Sequence, residues 1–174
     1  MLLRPFLTLA FLIPLMACGS SDAESVGSLS LQLTDSPGAF ERVDVELESA
    51  AIHDSTRGPD DGWVSIPLKT GTVNLLDLRL GKELPLAASS VPVGNYDRIE
   101  VAVTHATVTI DGQTQALALE GGKARAVIDY PFRVAPFDHT EMLLDFDASA
   151  SVLADDNGGL RLDPHITVRS ERRK

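Results

Sequence analysis

From Ser28 onward, apolar and polar residues alternate with period two, the spacing of strands that bury one face. Leu29, Leu31 and Leu33 alternate with Ser30 and Gln32. Val43, Val45 and Leu47 alternate with Asp44, Glu46 and Glu48. Val64, Ile66 and Leu68 continue the pattern after Trp63, and Ile99, Val101 and Val103 repeat it. Val108 and Ile110 then fall on the opposite parity, which predicts a bulge near His105 within one long strand. Leu117 and Leu119 follow, and 123–132 is mixed. Met142, Leu144, Phe146 and Ala148 alternate with acids, and Leu160, Leu162, Ile166 and Val168 close the pattern. Asp111-Gly112 and Gly121-Gly122 read as two-residue hairpin loops, and Asp60-Asp61-Gly62 and 155–159 as further turns. No segment after residue 17 sustains a helical stripe; Leu75–Leu80 is the nearest and is too short. About eight short strands separated by turn chemistry predict an all-β, antiparallel β-sandwich, with a β-barrel as the alternative.

The first 17 residues obey other rules. Arg4 precedes an apolar run from Phe6 to Met16, too short to cross a hydrocarbon core of about 30 Å and suited to a signal peptide. The run ends Leu15-Met16-Ala17-Cys18, followed by Gly19. This resembles the lipobox of bacterial lipoproteins, which implies cleavage before Cys18 and lipid on its thiol and new amine. Two or more acyl chains hold a protein stably at a membrane, where one is marginal. The alternative is an ordinary secretory signal with an incidental Cys. Since Cys18 is the only cysteine, no disulfide is available to the fold. Gly19, rather than Asp, after the lipidated position implies delivery to the outer membrane of a Gram-negative envelope. The expected organisation is a signal peptide at 1–17, a tether at 18–27, a β-sandwich at 28–168 and a basic tail at 169–174.

Charge narrows the partners. The chain carries a formal net charge of −10; loss of 1–17 removes Arg4 and no acid, leaving fourteen basic side chains against 25 acids, or −11. Such a surface repels nucleic acid. Among polar residues, Pro92-x-Gly94-x-Tyr96 reads as a turn whose Tyr hydroxyl caps a backbone group. Thr34-Asp35-Ser36-Pro37 reads as a turn capped by its own side chains, with a metal-ligand role for Asp35 the minor alternative. Trp63 reads as core or rim packing, with a sugar-stacking platform as the alternative. His53, His105, His139 and His165 form no zinc motif, the 155–166 stretch fails the spacing of a calcium loop, and no nucleophile elbow or phosphate loop is present. No cofactor is expected. The one polar cluster with matched parity is Asp145, Asp147 and Asp163. If 155–159 joins the strands at 142–148 and 160–168, these acids share a face with Arg161 and His165, and His165 falls opposite Asp147 or Ser149. The expectation is a solvated, ion-paired face; the alternative is a weak divalent-cation site.

The landmarks also resemble a known family, the bacterial domain of unknown function 4382. The resemblance runs from about Ser28 to Val168. It rests on Leu33-Thr34-Asp35-Ser36-Pro37, Gly62-Trp63-Val64, Val73-Asn74-Leu75-Leu76-Asp77-Leu78, Val91-Pro92-Val93-Gly94-Asn95-Tyr96, Leu144-Asp145-Phe146-Asp147-Ala148 and Leu162-Asp163-Pro164. It implies a sandwich similar to transthyretin-like and carboxypeptidase-regulatory-like domains, and no known catalytic residues. The expectation is a non-catalytic envelope domain, held to the membrane through Cys18, that serves structure or binds a protein or glycan. A hydrolase with dispersed site residues is the alternative from another class.

Overall fold

A computed structural model of the chain describes residues 25–36 and 39–174; Cys18, the signal segment and most of the expected tether lie outside them. The alternating segments form twelve strands among the described residues. They are β1 (Val26–Thr34), β2 (Arg42–Asp54), β3 (Trp63–Ile66), β4 (Thr72–Asn74), β5 (Leu84–Pro92) and β6 (Gly94–Ile110), then β7 (Gln113–Ala116), β8 (Ala124–Val134), β9 (His139–Phe146), β10 (Val152–Ala154), β11 (Leu160–Leu162) and β12 (Ile166–Arg173). A single helical turn, α1 (Ala148–Ser151), follows β9.

The strands build two facing sheets and a small hairpin. The smaller sheet has the order β12-β9-β1-β5. The larger runs β3-β2-β6, with β4 added to β2 and with β7 and β8 in tandem along the far side of β6. Leu29, Leu31, Leu33, Met142, Leu144 and Phe146 project inward from the first sheet. They meet Val43, Val45, Ile52, Ile99, Val101 and Val103 from the second, in one aliphatic core. With side chains alternating across each strand, the inward parity goes to this core and the outward parity is left to solvent and sites. One edge is stitched by a bridge between Leu68 and Ala87 and by Lys69 N–H donating to Leu86 O at 2.7 Å. At the other, between β8 and β12, Tyr130 Oη donates to Glu171 at 3.1 Å and no ladder closes among the described residues. The molecule is an all-β sandwich and not a closed barrel.

Several sequence expectations meet their geometry directly. Glu46 pairs with His105 and Leu47 with Val103, so Thr104 is the extra residue of a bulge beside His105. Asp111 and Gly112, at φ 50° and 71°, turn β6 into β7 as a two-residue loop. Tyr96 Oη donates to Pro92 O at 2.7 Å, closing the corner expected there.

Others are corrected. The sandwich is not purely antiparallel: β1 and β9 run parallel, Ser28 beside His139, because the long path through the larger sheet returns the chain to the same end. Leu75–Leu78 is a 3₁₀ turn whose Leu76 N–H donates to Asn74 Oδ1 at 3.3 Å. Gly121-Gly122 sits in a second 3₁₀ turn rather than a hairpin loop, since β7 and β8 both pair with β6. The tether boundary at 27 is late: Val26 and Gly27 already pair with Pro92 and Val91. The tail at 169–174 is not a free end, because β12 runs on through Arg173 against β9. There Arg169 lies 3.8 Å from Asp145, and Arg172 lies 2.9 Å from Glu141. The basic residues at 169 and 172–174 read as a tail in isolation; opposite the acids of β9 they belong to a matched edge strand.

Candidate functional site

The expected acidic cluster disperses. The turn at 155–159 joins β10 to β11 and not β9 to a long last strand. Even so, β12 does return beside β9, and Asp147 N–H donates to His165 O at 3.0 Å, so His165 stands opposite Asp147 as expected. Asp145 accepts from Ser36 Oγ at 2.9 Å. Asp147 lies past the end of β9 and caps α1 by accepting from Ala150 N–H at 2.9 Å. Asp163, between β11 and β12, accepts from Arg161 at 3.2 Å. Each carboxylate has at least one partner, although Asp145 Oδ1 has none, and among the described residues no group of three or more His, Cys, Asp and Glu could hold a metal ion. The cation-site alternative is therefore set aside.

Asp35 reaches beyond its own turn: its Oδ1 accepts the N–H of Ala148, 113 residues away, at 3.0 Å. Among the described residues its Oδ2 has no hydrogen-bond partner; it lies 3.6 Å from Arg79 Nε, which has none either. Burial raises the carboxyl to about 6, against the pull of the Ala148 N–H and Arg79, with Asp145 and Asp147 adding to the rise.

The richer arrangement is on the outer face of the larger sheet. Strand pairing sets Trp63 of β3, His53 of β2, Arg98 of β6 and Asp129 of β8 in one row, and Ser65, Ala51, Glu100 and Val127 in the next. A register shift between β2 and β6, at His53/Asp54, leaves Asp97 as the extra residue of β6. Its carboxylate thereby reaches His53 Nδ1 at 2.7 Å. His53 Nε2 lies 2.8 Å from the Gly58 carbonyl in the loop that covers it, and the residue is only 1% exposed. Carboxylate and carbonyl both accept, an arrangement that favours the doubly protonated ring, in which both nitrogens donate. Burial alone would lower its pKa. The bonds to Gly58 and Asp97 outweigh that and Arg98, and the net shift is upward; Asp97 is correspondingly lowered by its bond to His53. Arg98 Nη2 lies 2.9 and 3.0 Å from the two nitrogens, a position at which neither nitrogen's in-plane N–H points. The guanidinium carbon stands 5.4 Å from the Trp63 ring centre, and Trp63 lies 5.0 Å from His53 with the rings tilted by 59°. Trp63 Nε1 donates to Pro59 O at 3.3 Å. Gly62, at φ 80°, lets the loop turn directly into Trp63, where a Cβ would lie 2.5 Å from Arg57.

Beside this cluster lies a groove of about 560 Å³. Small residues Ser49, Ala51 and Ser65 floor it, and Trp63, Arg98 and Val127 rise from it. A larger groove, about 860 Å³, runs between the 118–125 connection and the β10–β11 hairpin. Several of its polar groups serve local structure: Asp155 Oδ1 takes the N–H groups of Asn157 and Gly159, Arg161 pairs with Asp163, and Lys123 pairs with Glu48. It also lacks an aromatic wall.

Two histidines invite a catalytic reading. The Asp97–His53 pair resembles a base and its orienting acid, but Nε2 faces a carbonyl where a nucleophile would be needed. On the outer face of the smaller sheet, His139 lies 3.0 Å from both Ser30 Oγ and Ser28 Oγ. Ser30, however, sits inside β1 between two paired neighbours, so local backbone N–H groups are committed to ladders and none is presented to an oxyanion. Sequence reading picked out Trp63 but missed His53, Asp97 and Arg98. The available signal was the broken alternation at Ala50–His53, four buried residues in succession, which marks a strand covered on both faces.

The fold and this face define a class: an all-β sandwich with a preorganised polar-aromatic groove on one sheet. Residues 26–164 match the family described as Domain of unknown function (DUF4382), and the chain belongs to that family. No curated protein and no solved structure matches it.

Proposed function

We propose that the protein is a lipid-anchored, non-catalytic domain of the bacterial envelope, held through Cys18, that binds a glycan in the Trp63 groove. The anchor is supported by the lipobox-like Leu15-Met16-Ala17-Cys18 and by the cysteine's being the only one. The outer-membrane address rests on Gly19. The observation that carries the binding role is the groove itself. An indole held by His53 and Arg98 stands over a floor of small residues, with Glu100, Arg125 and Asp60 within its lining. Sugar rings bury their C–H faces on aromatic surface and exchange hydrogen bonds with planar charged groups at the edges, and this groove offers both. A dispersed-site hydrolase receives no support from the two histidine pairs, whose partners are already committed.

The test exploits the single tryptophan, since intrinsic indole emission reports this groove and nothing else. Titration with soluble envelope oligosaccharides should change Trp63 emission saturably. Arg98→Ala should weaken that response about tenfold or more, the equivalent of one lost charge-assisted contact. Unchanged emission together with absent saturation transfer from protein to glycan would refute the glycan reading.

A further inference from the structure

Of the large apolar side chains, Phe137 and Leu80 stand out: they are 101% and 95% exposed, and both sit at φ 63°. Left-handed backbone is costly for any bulky residue, and full exposure of an aromatic ring wastes its burial. Phe137 is the third residue of a turn, Ala135-Pro136-Phe137-Asp138, closed by Asp138 N–H to Ala135 O at 3.4 Å. Glycine or asparagine is favoured at that position. A phenylalanine there strains the backbone and packs against nothing in the fold.

Its place in the molecule gives it a use. The turn is clamped against the start of β1, where a Cβ on Gly27 would lie 2.4 Å from Val134 and 2.5 Å from Ala135 O. Ser28 N–H donates to Asp138 O at 2.9 Å. Phe137 thus projects from the end of the sandwich at which the chain enters from Cys18, beside Val26, itself 50% exposed. Ser25 is seven positions after Cys18, a span of at most about 25 Å even fully extended. A bilayer holding lipid on Cys18 is therefore within reach of this end. The C-terminal strand brings cations to the same end: Lys174 exchanges two 3.0 Å backbone bonds with His139, and Arg133 and Arg173 are close in sequence and register. Glu171 and Glu141 partly neutralise Arg173 and Lys174, so the apolar tip, and not charge, supplies the main contact.

We infer that Phe137, with Pro136 and Val26, docks into the interface of the bilayer that holds the anchor, fixing the orientation of the sandwich on the membrane surface. This rests on the Cys18 anchor for the nearness of the membrane and is independent of what the Trp63 groove binds. Leu80 supplies an internal control. It has the same strain and exposure but lies near Leu84, which pairs with Leu33 at the far end of β1, on the order of 30 Å away.

The test uses the full chain, signal segment included, expressed in a Gram-negative host and purified from its envelope, with Trp63→Phe to remove the native indole and either Phe137→Trp or Leu80→Trp. Every described strand and core residue lies within that chain. The protein is placed in phosphatidylethanolamine–phosphatidylglycerol vesicles, and its mass reports whether Cys18 carries lipid. Absence of lipid sinks the anchor reading alone, since the same protein can be coupled through Cys18, its only thiol, to a maleimide lipid and the docking still measured. The indole at 137 should shift to the blue and be quenched by lipids brominated high on the acyl chain, while the indole at 80 should do neither. Equal behaviour at the two positions, or a solvent-exposed spectrum at 137 in tethered protein, overturns the inference. So does a blue shift at 137 that appears without vesicles as protein concentration rises, which would make the tip a contact between copies.

Discussion

Two buried ionisable groups, His53 and Asp35, show opposite solutions to the same problem. His53 lies under the 55–61 loop on the outer face of the larger sheet, and each ring nitrogen meets an acceptor, so its charge is stabilised where it sits. Asp35, 2% exposed where β1 ends, satisfies one oxygen with Ala148 N–H and leaves the other 3.6 Å from an equally unmatched Arg79 Nε. Burial without full compensation favours the neutral form, and its carboxyl rises to about 6. The first group is held rigid as a charge; the second sits near a neutral–charged balance. A groove wall needs the former, which is why the binding role is assigned to the Trp63 side.

The comparison breaks most visibly if His53 is removed. His53→Ala should cost about 3 kcal/mol in denaturant unfolding, combining a cavity with an unmatched Gly58 carbonyl. Trp63 emission should shift to the red as the covering loop loosens. Asp97→Asn should cost less, about 1 kcal/mol, since Asp97 is partly exposed and its bond is screened.

Next in size is Asp35→Asn. At pH 8 the wild-type carboxylate must be buried charged, so the amide, which can still accept from Ala148 N–H, should be more stable by about 2 kcal/mol. At pH 4 the advantage should vanish. A loss of stability at pH 8 would show that Arg79 closes on Oδ2 as a working ion pair.

The pH profile of the wild type follows with the same sign from both groups. Asp35 has a folded pKa near 6, above its ordinary 3.8, so its penalty is absent below about 4 and complete above about 6. His53 is raised above 6.5, so its contribution is full below 6.5 and fades as pH rises through the folded value. Stability should therefore fall from pH 4 to pH 8, by up to about 3 kcal/mol from Asp35, and Asp35→Asn should flatten the curve. Smallest is Asp163→Ala, whose exposed pair with Arg161 should move stability by less than about 0.5 kcal/mol. Millimolar calcium should leave the melting temperature of either form unchanged.

What was legible along the chain was local. Alternation from Leu29 to Val168, the slip at His105, the Asp111-Gly112 loop and the Tyr96 corner each depend on residues a few positions apart, and each is found. The parallel β1–β9 ladder joins residues more than 100 positions apart, and no periodicity encodes that. Asp145, Asp147 and Asp163 were grouped by parity alone. Asp147 escaped that grouping because the strand ends at Phe146 and its carboxylate turns to cap α1. His53 and Asp97 meet because a bulge at Asp97 shifts the register between β2 and β6, and cross-strand register is invisible until the strands are paired.

The shape of the Trp63 groove and the stability of its wall both depend on His53 being an imidazolium. Long-range proton–nitrogen correlation spectra of the ring at pH 7, assigned by comparison with His53→Gln, test this directly. Both nitrogens should show the shifts of a doubly protonated ring, with slowly exchanging N–H signals retained to a pH above that of a free histidine. A neutral single tautomer at pH 7, with one nitrogen unprotonated, would contradict the account.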